Sequence, residues 1–588
     1  MKSYRTIDMT SLLTVPSVIQ WEEAGASLAI ALGKYLELCN SLGTSSLGEG
    51  AHPDDLVKRI DFKLESMHSV MDQQLAQARS TLFKTRNEIT SPVHRLPDEI
   101  LVDIFTHVVY SPPNACDHDG VAEMGDHLHQ IYRCVYALLG VCSRWQKVIK
   151  NRRTFWSIIP VLQAPQSVDF ESWEIYEKYR QAMLISLERA RGCFLDIAAV
   201  LVPGFSSECF DLLKGHLPRI RTINVIASGP DDINCVMDVI LQGSSLPSSL
   251  SELSIYQTQV EHYRVPEERD AIYSPESPDL VRFNELLRSL AVLRINGAHI
   301  HWETLAFSHR LTKLRLQAIN LGTDHAMVTR LRHTLASATG LRELEIVSVR
   351  SFRSSNSGIQ TFFTGPFVPN NLESLVLDDL CINTLIHLLS LSYIPSRPHR
   401  LILHLTPNAR FFNLTERTRE FNEFISILQP VLSKRAVHTL CIHRGIELTA
   451  KLLASLIESV PKLHTLLLDQ RVLTTEHCNA LKRPETENEP HSSSYPSFKC
   501  LRFSQVTIED IVAFRNMVAS HSHSMEQLIL GGHIQTLSLW GLEDYCTGDD
   551  RDTDREIISL FENIVPDFRL TGSEYVPLEY QHDVWQLW

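Results

Sequence analysis

From Gly192 onward the apolar positions fall into a recurring triplet: apolar, two intervening residues, apolar, one intervening residue, apolar. Ile220-Ile223-Val225, Leu250-Leu253-Ile255, Leu290-Leu293-Ile295, Leu311-Leu314-Leu316 and Leu341-Leu344-Ile346 follow it. So do Leu372-Leu375-Leu377, Val437-Leu440-Ile442, Leu463-Leu466-Leu468, Phe498-Leu501-Phe503 and Met525-Leu528-Leu530. RPHRLILHL (397–405) is a degenerate copy, and GCFLDIAAV, around Leu195, is a candidate first strand. The alternation inside each triplet predicts a half-buried strand. Runs such as FNEFISILQPVLSK (421–434) and AKLLASLIESV (450–460) predict helices between strands. A strand–helix unit of this size cannot bury its own apolar face, whereas stacking copies side by side does so.

The predicted fold class is therefore an α/β solenoid over residues 161–540, irregular and leucine-rich-repeat-like, with a parallel sheet plus helices. The Asn or Cys that ladders the turn in regular repeats is missing, so the repeats must be irregular. Upstream, the spacing predicts all-helical structure. Residues 21–42 and 56–89 each carry an apolar stripe, the second close to a heptad through Val57, Ile60, Leu64, Met67, Met71, Leu75, Ala78 and Leu82. The two helices can form an antiparallel hairpin, or the second can form a coiled coil with another chain; both readings stay open for residues 1–92.

Ser91-Pro92 ends that region, and HRLPDEILVDIF (94–105) follows. Pro97 suits a first helical position, and Asp98 and Glu99 favour the positive end of the helix dipole. Ile100, Leu101, Ile104, Phe105 and Val108 fall on one side of a helix of about 12 residues, too short to be stable alone in water. Residues 110–130 read as a polar loop, and a further helix is expected over 131–150, with Val135, Leu138, Leu139, Cys142, Trp145 and Ile149 on one face. Thr154-Phe155-Trp156 opens a short aromatic piece. This delimits an all-α domain at 93–160 with a loop insertion near 109–130. Residues 541–588 are acidic and read as a cap or a tail, with a helix expected at 557–564.

Charge and composition narrow the function classes. The 588 residues carry a formal charge of −14, which repels phosphate and argues against nucleic acid or an anionic membrane as main partner. No apolar run approaches the ~20 residues that span a bilayer, and the N-terminus has no signal-peptide pattern. Twelve dispersed cysteines without a C-x-x-C pair read as reduced thiols. A cytoplasmic or nuclear protein is expected. Asp550, Asp552 and Asp554 alternate as in a calcium loop, but Arg555 and Phe561 stand where that loop needs Gly and Glu. Cys116, His118, His127, His129 and Cys134 match no common zinc spacing. No P-loop, GxGxxG, HExxH or G-x-S-x-G occurs, so neither metal, cofactor nor enzymatic activity is expected.

The stretch Leu96-Pro97-Asp98-Glu99-Ile100-Leu101-Val102-Asp103-Ile104-Phe105, then Leu138-Leu139-Gly140-Val141-Cys142-Ser143-Arg144-Trp145, then Phe155-Trp156, resembles an F-box. Its order along the chain, with LERARGCFLDI (187–197) and repeats after it, is similar to F-box proteins of the fungal type with irregular leucine-rich repeats. The resemblance implies a non-catalytic substrate-recognition subunit of a Skp–cullin–F-box ubiquitin ligase. The F-box would dock a Skp-type adaptor, and through it a cullin, while the repeats bind a protein substrate. The adaptor-binding positions it implies are Leu96, Pro97, Ile100, Leu101, Ile104, Val141, Cys142, Trp145 and Trp156. The alternative is a leucine-rich-repeat interaction scaffold not joined to a ligase. Substrate-binding residues stay unassigned; variable positions on the strands, such as Ser254, Arg294, Asn296, Arg315 and Asp469, are where they would lie.

Overall fold

The computed structural model describes residues 15–111, 124–162, 170–201, 208–242, 246–259, 266–352, 369, 371–391, 399–408, 421–484, 495–537, 543–546, 559–572, 575 and 577. The Asp550–Asp554 run, Cys116 and His118 lie outside them. The chain divides into two units, residues 1–101 and 102–588.

In the first unit, α1 (Pro16–Gly48) starts at a proline and runs longer than its expected span. α2 (Pro53–Lys63) and α3 (Ser69–Thr90) follow, joined by a π turn at Leu64–His68. The Tyr35 hydroxyl lies 3.1 Å from His68 Nε2. Leu32, Leu36 and Leu42 of α1 and Ile60, Met67 and Met71 of the second arm line a common cleft of about 1150 Å3. None of the three helices contains a buried residue. α4 (Asp98–Tyr110) spans the division between units.

In the second unit come α5 (Met124–Val141) and α6 (Ser143–Asn151). The loop expected to reach Gln130 stops earlier, because Met124, Leu128, Ile131, Tyr132 and Val135 form a buried stripe that extends the helix seven residues upstream. Next come β1 (Ile158–Leu162), β2 (Leu195–Val200), β3 (Ile220–Ala227), β4 (Glu252–Gln257), β5 (Val292–Asn296), β6 (Lys313–Gln317), β7 (Asn320–Thr323), β8 (Glu343–Val347) and β9 (Arg350–Phe352). β10 (Ser374–Asp378), β11 (Arg400–Leu405), β12 (Val437–Ile442), β13 (Thr465–Asp469), β14 (Val472–Leu473), β15 (Cys500–Ile508), β16 (Gln527–Leu537), β17 (Glu543–Cys546) and β18 (Asp567–Thr571) complete the series. β7 pairs with β9, and the others form one sheet in chain order, parallel except where β17 runs antiparallel to β16. The sheet thus begins at Ile158, inside the segment assigned to the helical domain. It also extends through β17 and β18 into the segment assigned to a cap or tail, β18 adding a parallel partner to β16.

Every expected triplet contributes to a strand, and their apolar residues stand in register. Ile197, Ile223, Leu253, Leu293, Leu314, Leu344 and Leu375 lie opposite one another from β2 to β10. Leu375 continues to Leu401 and Leu377 to Leu403; between β11 and β12 one extra residue, His438, is inserted, so that Leu401 faces Val437 and Leu403 faces Leu440, and Leu466, Leu501 and Leu528 follow. The insertion is a local bulge, and Val437 and Leu440 on either side of it both stay buried. These leucines are at most 2% exposed, and each contributes roughly 1.5–3 kcal/mol of burial.

The missing Asn ladder has a backbone replacement. Gly297, Ala318, Ser348 and Gln470, each directly after a strand, adopt φ of 72°, 52°, 50° and 45°. Their N–H groups donate to Gln317, Val347, Asp378 and Ser504 O of the next repeat at 2.9–3.0 Å. The left-handed conformation costs a non-glycine residue about 1–2 kcal/mol, offset here by a bond between repeats. A buried polar network adds a second tie. Asp324 Oδ1 accepts from Ser351 Oγ (2.6 Å) and Asn383 Nδ2 (2.7 Å), Ser351 Oγ lies 2.9 Å from Thr384 Oγ1, and His387 Nε2 is 3.7 Å from Asp324 Oδ2. The Asp324 carboxylate stands at the centre. A nucleophile–base relay instead needs the imidazole between hydroxyl and acid.

Two outcomes follow from this packing. A Cβ on Gly340 would fall 1.8 Å from His309 O, a backbone atom of the preceding repeat. Gly340→Ala should therefore destabilise the protein by about 3 kcal/mol in urea unfolding, at the upper end of overpacking costs. Burial would raise the Asp324 pKa, but hydrogen bonds from His387, Ser351 and Asn383 outweigh it and hold it below 3.8. A depressed carboxyl pKa stabilises above the unfolded value, about pH 4, and the gain fades as pH falls through the native value. Asp324→Asn should cost about 2–3 kcal/mol at pH 7, and its thermal stability should change less with pH below 4 than that of the unsubstituted protein.

Candidate interaction surfaces

The helical segment of the second unit is fastened to the sheet by its aromatics. Phe105 of α4 is buried and its ring lies 4.7 Å from that of Trp145 in α6. Tyr110 OH donates to Thr154 O at 2.9 Å. The Trp156 indole N–H donates to Ile149 O at 3.0 Å, and the Arg189 guanidinium sits 4.3 Å above the Trp156 ring. Tyr132 OH donates to Ile158 O at 2.8 Å and lies 2.8 Å from Ser186 Oγ. The core of this segment is thus filled from inside the unit. Apolar side chains remain outside it: Ile104 is 42% exposed, Val108 49% and Val141 57%.

The nine positions implied by resemblance sort by this geometry. In the first unit Pro97 and Ile100 are exposed, Leu96 is half-buried and Leu101 is buried. In the second, Ile104 and Val141 are exposed, Cys142 and Trp145 are half-buried, and Trp156 is buried. Trp156 and Leu101 offer no surface to a partner. The reason for Trp156 is the cation over its face and the carbonyl that its N–H needs once desolvated. Among the described residues, Met124–Gln130 of the expected insertion are helical, with His127 half-buried and His129 exposed.

The sheet face opposite the leucines is polar from β4 to β8. Ser254, Arg294, Arg315 and Glu345 stand side by side on β4, β5, β6 and β8. Arg294 Nη1 reaches Glu252 Oε2 and Ser254 Oγ, both at 3.4 Å. Arg315 Nη1 donates to Glu345 Oε2 at 3.0 Å, and its Nη2 to Gln317 Oε1 at 3.0 Å. Lys313 Nζ is 3.0 Å from both Glu343 and Glu345, and those carboxylates, against the burial that opposes it, raise the Lys313 pKa. Ser254, Arg294, Asn296 and Arg315 are buried and Asp469 half-buried. The two arginines, expected among the variable contact positions, are engaged in tying strands together.

Farther along the same face, Asp378, His404 and His443 come together, with one potential ligand atom from each within 4.8 Å of the others. Sequence reasoning missed this cluster because its members come from three repeats. The signal was available in the repeat period: each residue directly follows a buried apolar strand position, Leu377, Leu403 or Ile442.

No family model and no curated protein matches the chain. Among solved structures, the yeast Rad7–Elc1 complex is similar at 11% identity and a TM-score of 0.31, covering 79% of this chain and 93% of that one. The TLR13–ssRNA13 complex is similar at 12% identity and 0.31, covering 60% and 41%. The leucine-rich repeat-containing protein LegL7 from Legionella pneumophila is similar at 11% identity and 0.28, covering 63% and 98%.

Proposed function

We propose that this chain is a non-catalytic substrate-recognition subunit of a Skp–cullin–F-box ubiquitin ligase, acting inside the cell. Its F-box-like segment docks a Skp-type adaptor, and its repeats present a protein substrate. The observation that carries this reading is the set of apolar side chains left outside a helical segment whose own core is already filled. Ile104 and Val141 are exposed, while Phe105, Val109 and Trp156 are buried. Aliphatic and aromatic side chains of this kind anchor partners when desolvated in a fitted pocket. Both exposed positions match the motif that resembles an F-box. Catalysis in such an assembly is proximity, the repeats holding a substrate near a ubiquitin-charged enzyme.

Ile104 and Val141 are also suitable test positions, because their substitution leaves the interior intact, whereas Trp145 packs on Phe105. Ile104→Asp combined with Val141→Asp should weaken binding of a purified Skp-type adaptor by at least about 30-fold, roughly 2 kcal/mol, with an unchanged melting temperature. Undiminished binding by the folded double variant, or no binding by the unsubstituted chain, would leave a repeat scaffold outside any ligase.

A further inference from the structure

We propose that Asp378, His404 and His443 form a binding site for a divalent transition-metal ion, zinc being the one tested, on the sheet face opposite the leucines. This goes beyond the adaptor reading and does not depend on it. Strand alternation places the site. Leu377, Leu403 and Ile442 point into the core, so the residue after each emerges on the other face. Asp378 closes β10, His404 lies in the adjacent β11, and His443 directly follows β12.

The separations suit one metal ion. His404 Nδ1 is 3.1 Å from His443 Nε2 and 3.7 Å from Asp378 Oδ1. Zinc bound at about 2.0–2.2 Å in a tetrahedron holds its ligand atoms roughly 3.3–3.6 Å apart. The two separations from His404 lie within a few tenths of an ångström of those values, and His443 and Asp378 are within 4.8 Å of each other. The two imidazole rings are tilted by 41° with centroids 5.3 Å apart, so they are not stacked face to face. The donor set, two imidazoles and a carboxylate, is one that zinc and its first-row neighbours take, with a fourth position left for water or a ligand group.

Burial and support point the same way. The Asp378 and His404 side chains are 1% and 2% exposed, and His443 is half-buried, giving the site an entry path. The flanks are held by one neighbouring side chain. Asp379, next to Asp378, adopts φ 50°. Its carboxylate accepts from Ser348 Oγ (2.6 Å), Thr406 Oγ1 (2.5 Å) and Asn408 Nδ2 (2.9 Å). It thereby fixes the residue beside one ligand and the turn that follows another, the support that a preorganised site requires.

The test uses the full-length chain, stripped with a chelator and titrated with Zn2+ by calorimetry and with Co2+ by visible absorption. The expected result is one equivalent of Zn2+, an intense tetrahedral Co2+ spectrum displaced by Zn2+, and a zinc-dependent rise in melting temperature. His404→Gln and Asp378→Asn should each weaken zinc binding at least about 100-fold, since even an outer-shell partner is worth 10–100-fold. His443→Gln, at the half-buried member, gives the same test with the least risk to folding. His438→Gln alters a separate pair, whose ring stacks on His464 at 5.8 Å, and should leave binding unchanged. Absence of stoichiometric zinc binding by the folded chain would overturn the site. So would affinity retained in the folded His443→Gln variant.

Discussion

The register between neighbouring parallel strands is the constraint on which the rest of the second unit depends. Leu253, Leu293, Leu314, Leu344 and Leu375 meet across five strands, and alternation then assigns every other side chain to a face. The same alignment puts Arg315 beside Glu345, so that ion pair is set by the arrangement that buries the leucines. It also explains why the degenerate strand Arg400–Leu405 is tolerated. Its leucines keep register with those of β10, and the one-residue bulge toward β12 leaves Val437 and Leu440 buried. Asp378, His404 and His443 converge for the same reason, each standing one position past a core residue.

The helical segment before the sheet shows a different balance. Three of its aromatics are committed inward: Trp156 under Arg189, Phe105 against Trp145, Tyr132 bonded to the first strand and to Ser186. Such a segment needs no further partner for its own core, so Ile104, Val108 and Val141 are surplus to folding. Exposed aliphatics at 42–57% cost solubility, and covering them by a partner removes that cost. The polar network around Asp324 and the ion pairs of β4 to β8 supply partners to several buried polar groups. Its outward-facing aliphatics contrast with that economy.

Much of the sheet was legible because period-two alternation led by leucine recurs in every repeat, a signal that accumulates with copies. What escaped lacked it. β1 reads IIPVL, and Pro160 argues against a strand, yet among the described residues β1 ends the sheet, where a missing N–H is tolerated. Met124–Gln130 looks polar because three of its residues are Asp126, His127 and His129, while its apolar contacts come four positions apart. The left-handed residues Ala318, Ser348 and Gln470 carry no compositional mark, since glycine is the usual cue for that conformation. Of the implied docking positions, the sequence could not separate Ile104 and Val141 from Leu101 and Trp156. All are apolar, and only packing tells which face is already occupied.

Successive repeats are joined by backbone hydrogen bonds through the strands and on into the turns after them. Residue-resolved hydrogen exchange tests it at the amides of Ala318, Ser348 and Gln470. They occupy turns, yet each donates to a carbonyl of the next repeat. The predicted result is protection comparable with that of the adjoining strand amides, falling off toward the terminal repeats as stacked units fray from their ends. Exchange at these three positions as fast as in an unstructured peptide, with the strands still protected, would contradict it.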